Sequence, residues 1–265
     1  MKVVFCDLDG TLLHENKDLS PQNKYAIHAL AQKGIPFVIA TGRGATSVYT
    51  LLDEIGLDVD CIVSNGTYME RKREKVFSFG FTWQEAKNIC DKLDSMGISY
   101  SIFSEKLWIS PKRDENVQLE ERLVGATSQV GTIEDIDKNR CINKIMAMMT
   151  PEVIDQNQAI LKEAFPNFSI MNSLNYLLEI TQGTHDKGTA VQDFCKHFNI
   201  AKEDTVGFGD SYIDAPMLRA VGTPYVMRNG VDEVKQEFGN IILSNDEDGV
   251  YHQLVKLGWI DEFTC

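Results

Sequence analysis

The sequence predicts an α/β fold, a Rossmann-like parallel-sheet core domain carrying an inserted α+β domain. Short, wholly apolar runs alternate with amphipathic helical stretches over the first 65 residues, and the same alternation returns after residue 184. Strand–helix–strand order of this kind implies right-handed crossovers and a parallel sheet covered on both faces. Between residues 81 and 183 strand-like segments follow one another directly, and that change of pattern marks the insertion.

Taken in order, residues 3–6 form the first strand, too short and apolar to be anything but interior. Ser20 is placed to cap a helix beginning at Pro21, with Ala26, Ile27, Leu30 and Ala31 as its apolar stripe and Gly34 at its end. Residues 35–40 make the next strand. Val48, Leu51, Leu52 and Ile55 then recur at helical spacing before Gly56, and residues 61–63 form a third strand that ends in Ser64-Asn65-Gly66.

In the insertion, Thr82 and Glu85 form a capping box at the start of a helix. Strands are expected at 98–103 and 107–110, then a strand at 144–150, a helix at 151–165 and strands at 168–172 and 176–180. The closing third reads as helix 188–198, strand 205–209, helix 215–221, strand 224–227, helix 231–238 and strand 240–243. The expected division is residues 1–80 plus 184–265 for the core and 81–183 for the insert, both of ordinary domain size.

A composition that is 43% apolar and 25% charged is that of a folded globular protein. A formal net charge of −13 argues against partnership with nucleic acid or a membrane surface, because both are anionic. Six cysteines lie far apart without a C-x-x-C pair, several inside apolar runs, and read as the reduced thiols of a cytoplasmic protein. The apolar run before Asp7 is short, and no later one reaches the roughly 18 residues a membrane span needs, so no anchor is expected.

Polar residues placed on this scaffold converge. Asp7, Thr41, Asn65 and Asp210 each follow the last apolar residues of an expected strand, and in an open parallel sheet the ligand crevice lies outside those carboxyl ends. Asp7 and Asp9 are two residues apart on extended chain, so their side chains can lean the same way, and Asp210 and Asp214 arrive from another strand end. So many carboxylates in a partly desolvated cleft call for a hard cation, and Mg²⁺ suits one or two carboxylates with waters and substrate oxygens. Thr41, the amides of Thr41-Gly42 and the ammonium of Lys187 are suited to an anion. Carboxylates, metal and a fixed cation around an anion hole point to phosphoryl transfer, with a carboxylate as nucleophile.

At these residues the chain resembles the haloacid dehalogenase superfamily of phosphatases. The matching motifs run in family order: Asp7-Leu8-Asp9-Gly10-Thr11, then Thr41 in Ala40-Thr41-Gly42-Arg43, then Lys187-Gly188, then Gly209-Asp210 through Asp214. The insertion between the third strand and Lys187, with the Ser64-Asn65-Gly66 turn, is similar to the Cof-type subfamily and its α/β (type IIB) cap domain. The resemblance implies that Asp7 attacks phosphorus and that Asp9 protonates the leaving alcohol and later activates water. It also implies that Thr41 and Lys187 hold the phosphoryl oxygens, with Leu8, Gly42, Arg43 and Asn65 as further substrate contacts. Mg²⁺ would be held by Asp7, the Asp9 backbone carbonyl and Asp210, with Asp214 in support. Relatives commonly carry Asn just before the second aspartate of the fourth motif, where this chain has Ile213; one phosphate contact is thereby lost.

The expected activity is hydrolysis of a small phosphomonoester, a sugar phosphate or similar metabolite, with the cap choosing the leaving group. A phosphomutase using the same Asp7, and a phospho-ligand sensor without turnover, are the other readings of these residues. A receiver-type signalling domain also phosphorylates an aspartate at a strand end, but it is about 120 residues without a cap, and Asp9 has no place in it. His185 beside the third motif reads as a polar loop residue, and Met146, Met148 and Met149 as core of the insert.

Overall fold

The structure, a computed structural model, describes residues 1–263. Strand β1 (Val3–Cys6) is fully buried, and α1 (Pro21–Gln32) opens with the Asn23 amide donating to Ser20 Oγ at 3.0 Å. β2 (Phe37–Ala40), α2 (Ala45–Ile55) and β3 (Asp60–Val63) continue the alternation. β4 (Tyr68–Arg71) and β5 (Glu74–Ser78) follow, a pair of strands for which the sequence reading has no place. The insert comprises α3 (Trp83–Ser95), β6 (Ser99–Ser104), β7 (Leu107–Ser110), α4 (Glu115–Val124), β8 (Gln129–Val130), β9 (Lys144–Met148), α5 (Pro151–Ala164), β10 (Ser169–Leu174) and β11 (Leu177–Thr181). The chain closes with α6 (Lys187–His197), β12 (Thr205–Gly209), α7 (Ala215–Ala220), β13 (Thr223–Met227), α8 (Asp232–Phe238), β14 (Ile241–Ile242) and α9 (Gly249–Lys256). None of the described helices is long and apolar enough to cross a membrane.

The described residues group into two compact units. The first takes Met1–Gly42, Ile55–Val76 and the chain from Asp186 onward; the second takes Arg43–Glu54 and Phe77–His185. Residues 43–54, which the sequence reading places with the core, join the second unit for a packing reason. Gly44 lies so close to the Phe103 ring that a Cβ there would come within 2.6 Å of it.

In the first unit an eight-stranded sheet runs β14-β13-β12-β1-β2-β3-β4-β5. β1 pairs in parallel with both β12 and β2, whereas β4 is antiparallel to β3, so the sheet is not parallel throughout. The chain winds outward from β1 through β2 to β3, then returns to the other side of β1 at β12. The order therefore reverses between β1 and β12, where open α/β sheets bind their ligands. Helix α6 is pinned over β1 by an edge-to-face contact between Phe194 and Phe5 at 5.3 Å.

In the second unit a six-stranded sheet runs β10-β11-β9-β6-β7-β8. Its strands alternate in the way period-2 geometry demands. Tyr100, Ile102, Ile145, Ala147, Leu178 and Ile180 pack with Ile89 and Leu93 of α3 and Ile154 and Leu161 of α5. The opposite face brings Phe103, Trp108, Met146, Met148 and Leu177 together with Val117 of α4. The three methionines are buried core residues.

That same face carries a buried ion pair, Lys144 Nζ to Glu179 Oε1 at 2.7 Å, with the two side chains only 2% and 8% exposed. Removing one partner would strand a charge where water cannot reach it. Lys144→Met is therefore expected to lower unfolding free energy by about 3–5 kcal/mol in denaturant titration, and the double variant Lys144→Met/Glu179→Leu to recover most of that loss.

Candidate active site

The site is built at the β1/β12 reversal. Because Cys6 is in register with Phe208, the residues after these strands emerge side by side, and the Asp7 amide still donates to Phe208 O at 3.0 Å. This leaves the Asp7 carboxylate at the sheet's carboxyl edge, 6% exposed. The chain then turns at Gly10 (φ 82°), a left-handed conformation that favours glycine. A Cβ at Gly10 would also lie 2.6 Å from Asp210 Oδ2, so the bare backbone lets the first turn close against the fourth motif. Asn229 holds the turn from outside, its Nδ2 donating to Gly10 O at 2.8 Å.

Lys187 is the first residue of α6, capped by Asp186, whose side chain accepts from the Thr189 amide. Gly188 lets α6 meet the start of α7, since a Cβ there would come within 2.5 Å of Pro216 O. The Lys187 ammonium consequently reaches Asp7 Oδ1 and Asp214 Oδ1, both at 2.6 Å. Asp214, fully buried, is further held through Oδ2 by the amides of Asp210 and Ser211 at 3.1 and 3.0 Å and by Ser211 Oγ at 2.8 Å. Thr11 Oγ1 donates to Asp210 Oδ1 at 3.1 Å. One carboxylate oxygen from each of Asp7, Asp210 and Asp214 lies within 4.8 Å of the others.

Charge sets what the cluster can hold. Burial, then the Asp214 carboxylate, push the Asp7 carboxyl well above its ordinary range, against the pull of Lys187. Burial and then Asp214 likewise push Asp210 up to about 7, although Thr11 and Lys187 oppose it. Burial works to discharge Lys187, but Asp214 and Asp7 outweigh it and hold the ammonium above its usual value. Three carboxylates around one ammonium leave net negative charge on hard oxygen donors, the donor chemistry of a small divalent cation.

The remaining sequence candidates lie around this cluster or outside it. The Asp9 side chain is not among the clustered carboxylates; its Oδ1 takes the Lys17 ammonium at 3.1 Å. Leu8 is fully buried, its carbonyl accepting the amides of Leu12 and Leu13 at 3.0 and 2.9 Å. Thr41 is 1% exposed at the end of β2, and its carbonyl accepts the Asn65 amide at 3.1 Å, which joins two strand-end turns. The Thr41 amide, expected to face an anion, instead donates to Ile62 O at 2.9 Å, because the sheet ladder extends one residue further than the apolar run. Ser64, Asn65 and Gly66 are all left-handed (φ 50°, 58° and 95°). Gly42 ends a segment of the first unit, and Arg43 belongs to the second. His185 stacks on Phe79 at 3.6 Å, a linker contact rather than a site group.

Thr11 and Ser211, which lie within the motifs but have no role in the sequence analysis, and Asn229 and Lys17, which lie outside them, also contact these residues. Ser211 was accessible in principle, since a serine directly after Asp210 can bond Asp214 three residues on. Asn229 and Lys17 have no local sequence signal.

A buried carboxylate beside a fixed lysine at the switch point of an open α/β sheet defines a class. The sequence profile of the haloacid dehalogenase-like hydrolases matches residues 4–254, and the chain belongs to that family. It is a phosphoester hydrolase. The chain is 28% identical to the 5-amino-6-(5-phospho-D-ribitylamino)uracil phosphatase YwtE of Bacillus subtilis, covering 97% of this chain and 98% of that protein. Among solved structures, a haloacid dehalogenase-like hydrolase from Bacteroides thetaiotaomicron superposes with a TM-score of 0.89 at 21% identity, over 97% of this chain and 99% of that one. A sugar phosphatase of subclass IIB of the superfamily gives a TM-score of 0.83 at 22% identity, over 98% and 100%. Both structural likenesses show the shared fold.

Proposed function

We propose that the protein is a cytoplasmic, Mg²⁺-dependent phosphatase that hydrolyses small phosphomonoesters, sugar phosphates among them, through an aspartyl phosphate on Asp7. The observation that carries this reading is the double contact of Lys187 with Asp7 and Asp214 at 2.6 Å, inside a cluster with Asp210. It presents one oriented carboxylate at the strand end with a cation fixed beside it. The ribityl phosphate in the name of the Bacillus subtilis relative supports a polyol or sugar ester as substrate class.

The steps follow from the side chains. An Asp7 oxygen forms a bond to phosphorus as the ester P–O bond breaks, its electron pair leaving on the alcohol oxygen, which takes a proton from Asp9. Water then attacks phosphorus, Asp9 receives its proton, and the bond between phosphorus and Asp7 breaks to release orthophosphate. Lys187 stays against Asp7 and neutralises charge on the transferring group, while the Thr41 hydroxyl, Leu8, Gly42, Arg43 and Asn65 are assigned to substrate contacts. Asp7, Asp210 and the Asp9 carbonyl would hold Mg²⁺ with Asp214 behind them, and when bound it supplies positive charge for the phosphoryl oxygens. The inserted domain, residues 81–183, is assigned the choice of leaving group. Cys6, Cys61 and Cys90 are buried free thiols, in keeping with a reducing compartment.

The test is phosphate release from a panel of sugar, polyol and nucleotide monophosphates, with Mg²⁺ or with chelator. Metal-dependent release favouring sugar and polyol esters supports the proposal; metal-independent release, or transfer of phosphate to a second sugar hydroxyl, contradicts it.

The raised carboxyls also make stability depend on pH. Between about pH 4 and 7 the folded protein holds more protons at Asp210 than the unfolded chain does, so metal-free stability falls as pH rises through that window. A divalent cation that binds only the folded, ionised site offsets this loss. Mg²⁺ is expected to raise Tm clearly at pH 8 and hardly at pH 5, as read by differential scanning fluorimetry.

A further inference from the structure

The Lys17 ammonium pairs with Asp9 Oδ1 at 3.1 Å, and the backbone goes out of its way to put it there. It sits in the left-handed region at φ 71°, where a side chain with a Cβ is disfavoured. The turn that carries it is closed by the His14 amide to Asp18 O at 3.0 Å and the Lys17 amide to His14 O at 2.9 Å. Asn16 and Asp18 lock it further, Asn16 Nδ2 donating to Asp18 Oδ2 at 2.7 Å and the Asp18 amide to Asn16 Oδ1 at 3.0 Å. From outside, His14 Nε2 meets Asp248 Oδ1 at 3.0 Å, the Glu15 amide donates to Asp246 Oδ1 at 2.9 Å, and Asn245 Nδ2 donates to Leu13 O at 2.9 Å. A bridge between Asp9 and Leu13 ties the same turn to the catalytic loop.

The ion pair at the end of this brace, Lys17 Nζ to Asp9 Oδ1 at 3.1 Å, is 42% and 38% exposed. Pairs so wet add little to fold stability. A strained residue on a heavily bonded turn, delivering a stability-neutral contact to one carboxylate, is better explained by what it does to that carboxylate. We propose that Lys17 is a positioning residue that fixes the Asp9 side chain for proton transfer to the leaving oxygen. This rests on the phosphatase reading above and adds a residue that its motifs do not contain. Asp9 lies on the loop after β1, and the ammonium biases its carboxyl toward the one rotamer that meets Lys17, which narrows the directions in which it can deliver a proton.

The step concerned is the first: the bond between Asp7 and phosphorus forms, the ester P–O bond breaks, and the Asp9 proton passes to the departing oxygen. An alkoxide leaves poorly without that proton, whereas p-nitrophenolate leaves without it. Misplacing Asp9 must therefore hurt alkyl esters selectively, a selectivity that general damage to the fold would not produce.

The experiment measures kcat/KM for wild type, Lys17→Met and Lys17→Arg on ribose 5-phosphate or whichever alkyl phosphomonoester the panel ranks highest, and on p-nitrophenyl phosphate. Lys17→Met is expected to lose about tenfold on the alkyl ester, a fraction of what an acid catalyst contributes, and no more than about threefold on the aryl ester. Lys17→Arg should restore most of the alkyl rate, and Lys17→Met should add nothing in an Asp9→Ala background. The inhibition constant of inorganic phosphate should stay unchanged. Equal losses on both esters, additivity with Asp9→Ala, or weaker phosphate inhibition would each overturn the proposal. A wild type that turns over both esters alongside an indistinguishable Lys17→Met overturns this proposal alone; a wild type that hydrolyses neither overturns the phosphatase reading and this with it.

Discussion

Asp7→Asn is expected to lower phosphate release by at least about a thousandfold, because the amide oxygen is a poor nucleophile held in the same place. The fold should not suffer. Asn keeps the oxygen that accepts from Lys187 at 2.6 Å, and it removes a carboxyl whose charged form is already disfavoured by burial and by Asp214. The metal-free variant should therefore melt at the same temperature as wild type or higher, the usual opposition between stability and activity at a strained site. Parallel assays of phosphate release and Tm check both halves. A variant that loses activity together with several degrees of Tm would show instead that Asp7 matters chiefly to folding.

Lys187→Met should do the reverse, harming both. The ammonium is 2% exposed and bonds two carboxylates that are themselves 8% and 0% exposed, so its removal leaves buried negative charge with no cation. Loss of one partner from such a buried set is expected to cost about 3–5 kcal/mol. For a chain of this size that corresponds to a fall in Tm on the order of 10 °C. The loss should shrink toward pH 5, where Asp7 and Asp210 take up protons in the folded state, and should shrink also when Mg²⁺ is added at pH 8. A pH-independent Tm in Lys187→Met would mean that these carboxyls do not carry the charge assigned to them. Activity should fall by at least about a hundredfold, as for removal of a donor that meets developing charge.

The core was legible because its strands are short, apolar and terminated by chemistry. Asp7, Asp210 and Asp214 stand directly after or just beyond such runs, and strand ends on one edge of a parallel sheet must converge whatever the intervening sequence does. What sequence could not show is how the convergence is made. Lys187 meets Asp214 only because Gly188 admits the backbone of Pro216, and Asp210 closes on the first motif only because Gly10 has no Cβ.

Elsewhere the signals were masked or unused. β4 and β5 are joined through Lys72 and Arg73, both left-handed at φ 49° and 64°, in a turn with none of the Gly or Asn that usually marks one. The charged run from Glu70 to Lys75 further hides strand alternation. α4 carries ordinary punctuation, Asp114 capping its start and Gly125 left-handed at its end, but its polar sequence shows no clear apolar stripe between them. α9 begins after Asp248 in a left-handed conformation with no side-chain cap, and the capping box of Ser244 and Glu247 starts the short helical turn before it instead. The Lys17 pairing and the partner of the Thr41 amide are hidden for a third reason, since a side-chain pairing across a turn and the last rung of a sheet ladder are decided by backbone geometry and leave no pattern in residue type.

The central claim is that phosphorus becomes bonded to Asp7, and acid quenching within the first turnover followed by borohydride reduction tests it directly. Reduction of an acyl phosphate converts its aspartate to homoserine, which peptide mass spectrometry locates. The account expects homoserine at position 7, dependent on substrate and Mg²⁺ and, with p-nitrophenyl phosphate, whose leaving group needs no proton, more abundant in Asp9→Asn, where only the second step is slowed. Homoserine at another carboxylate, or none in a protein that is turning over substrate, would contradict it.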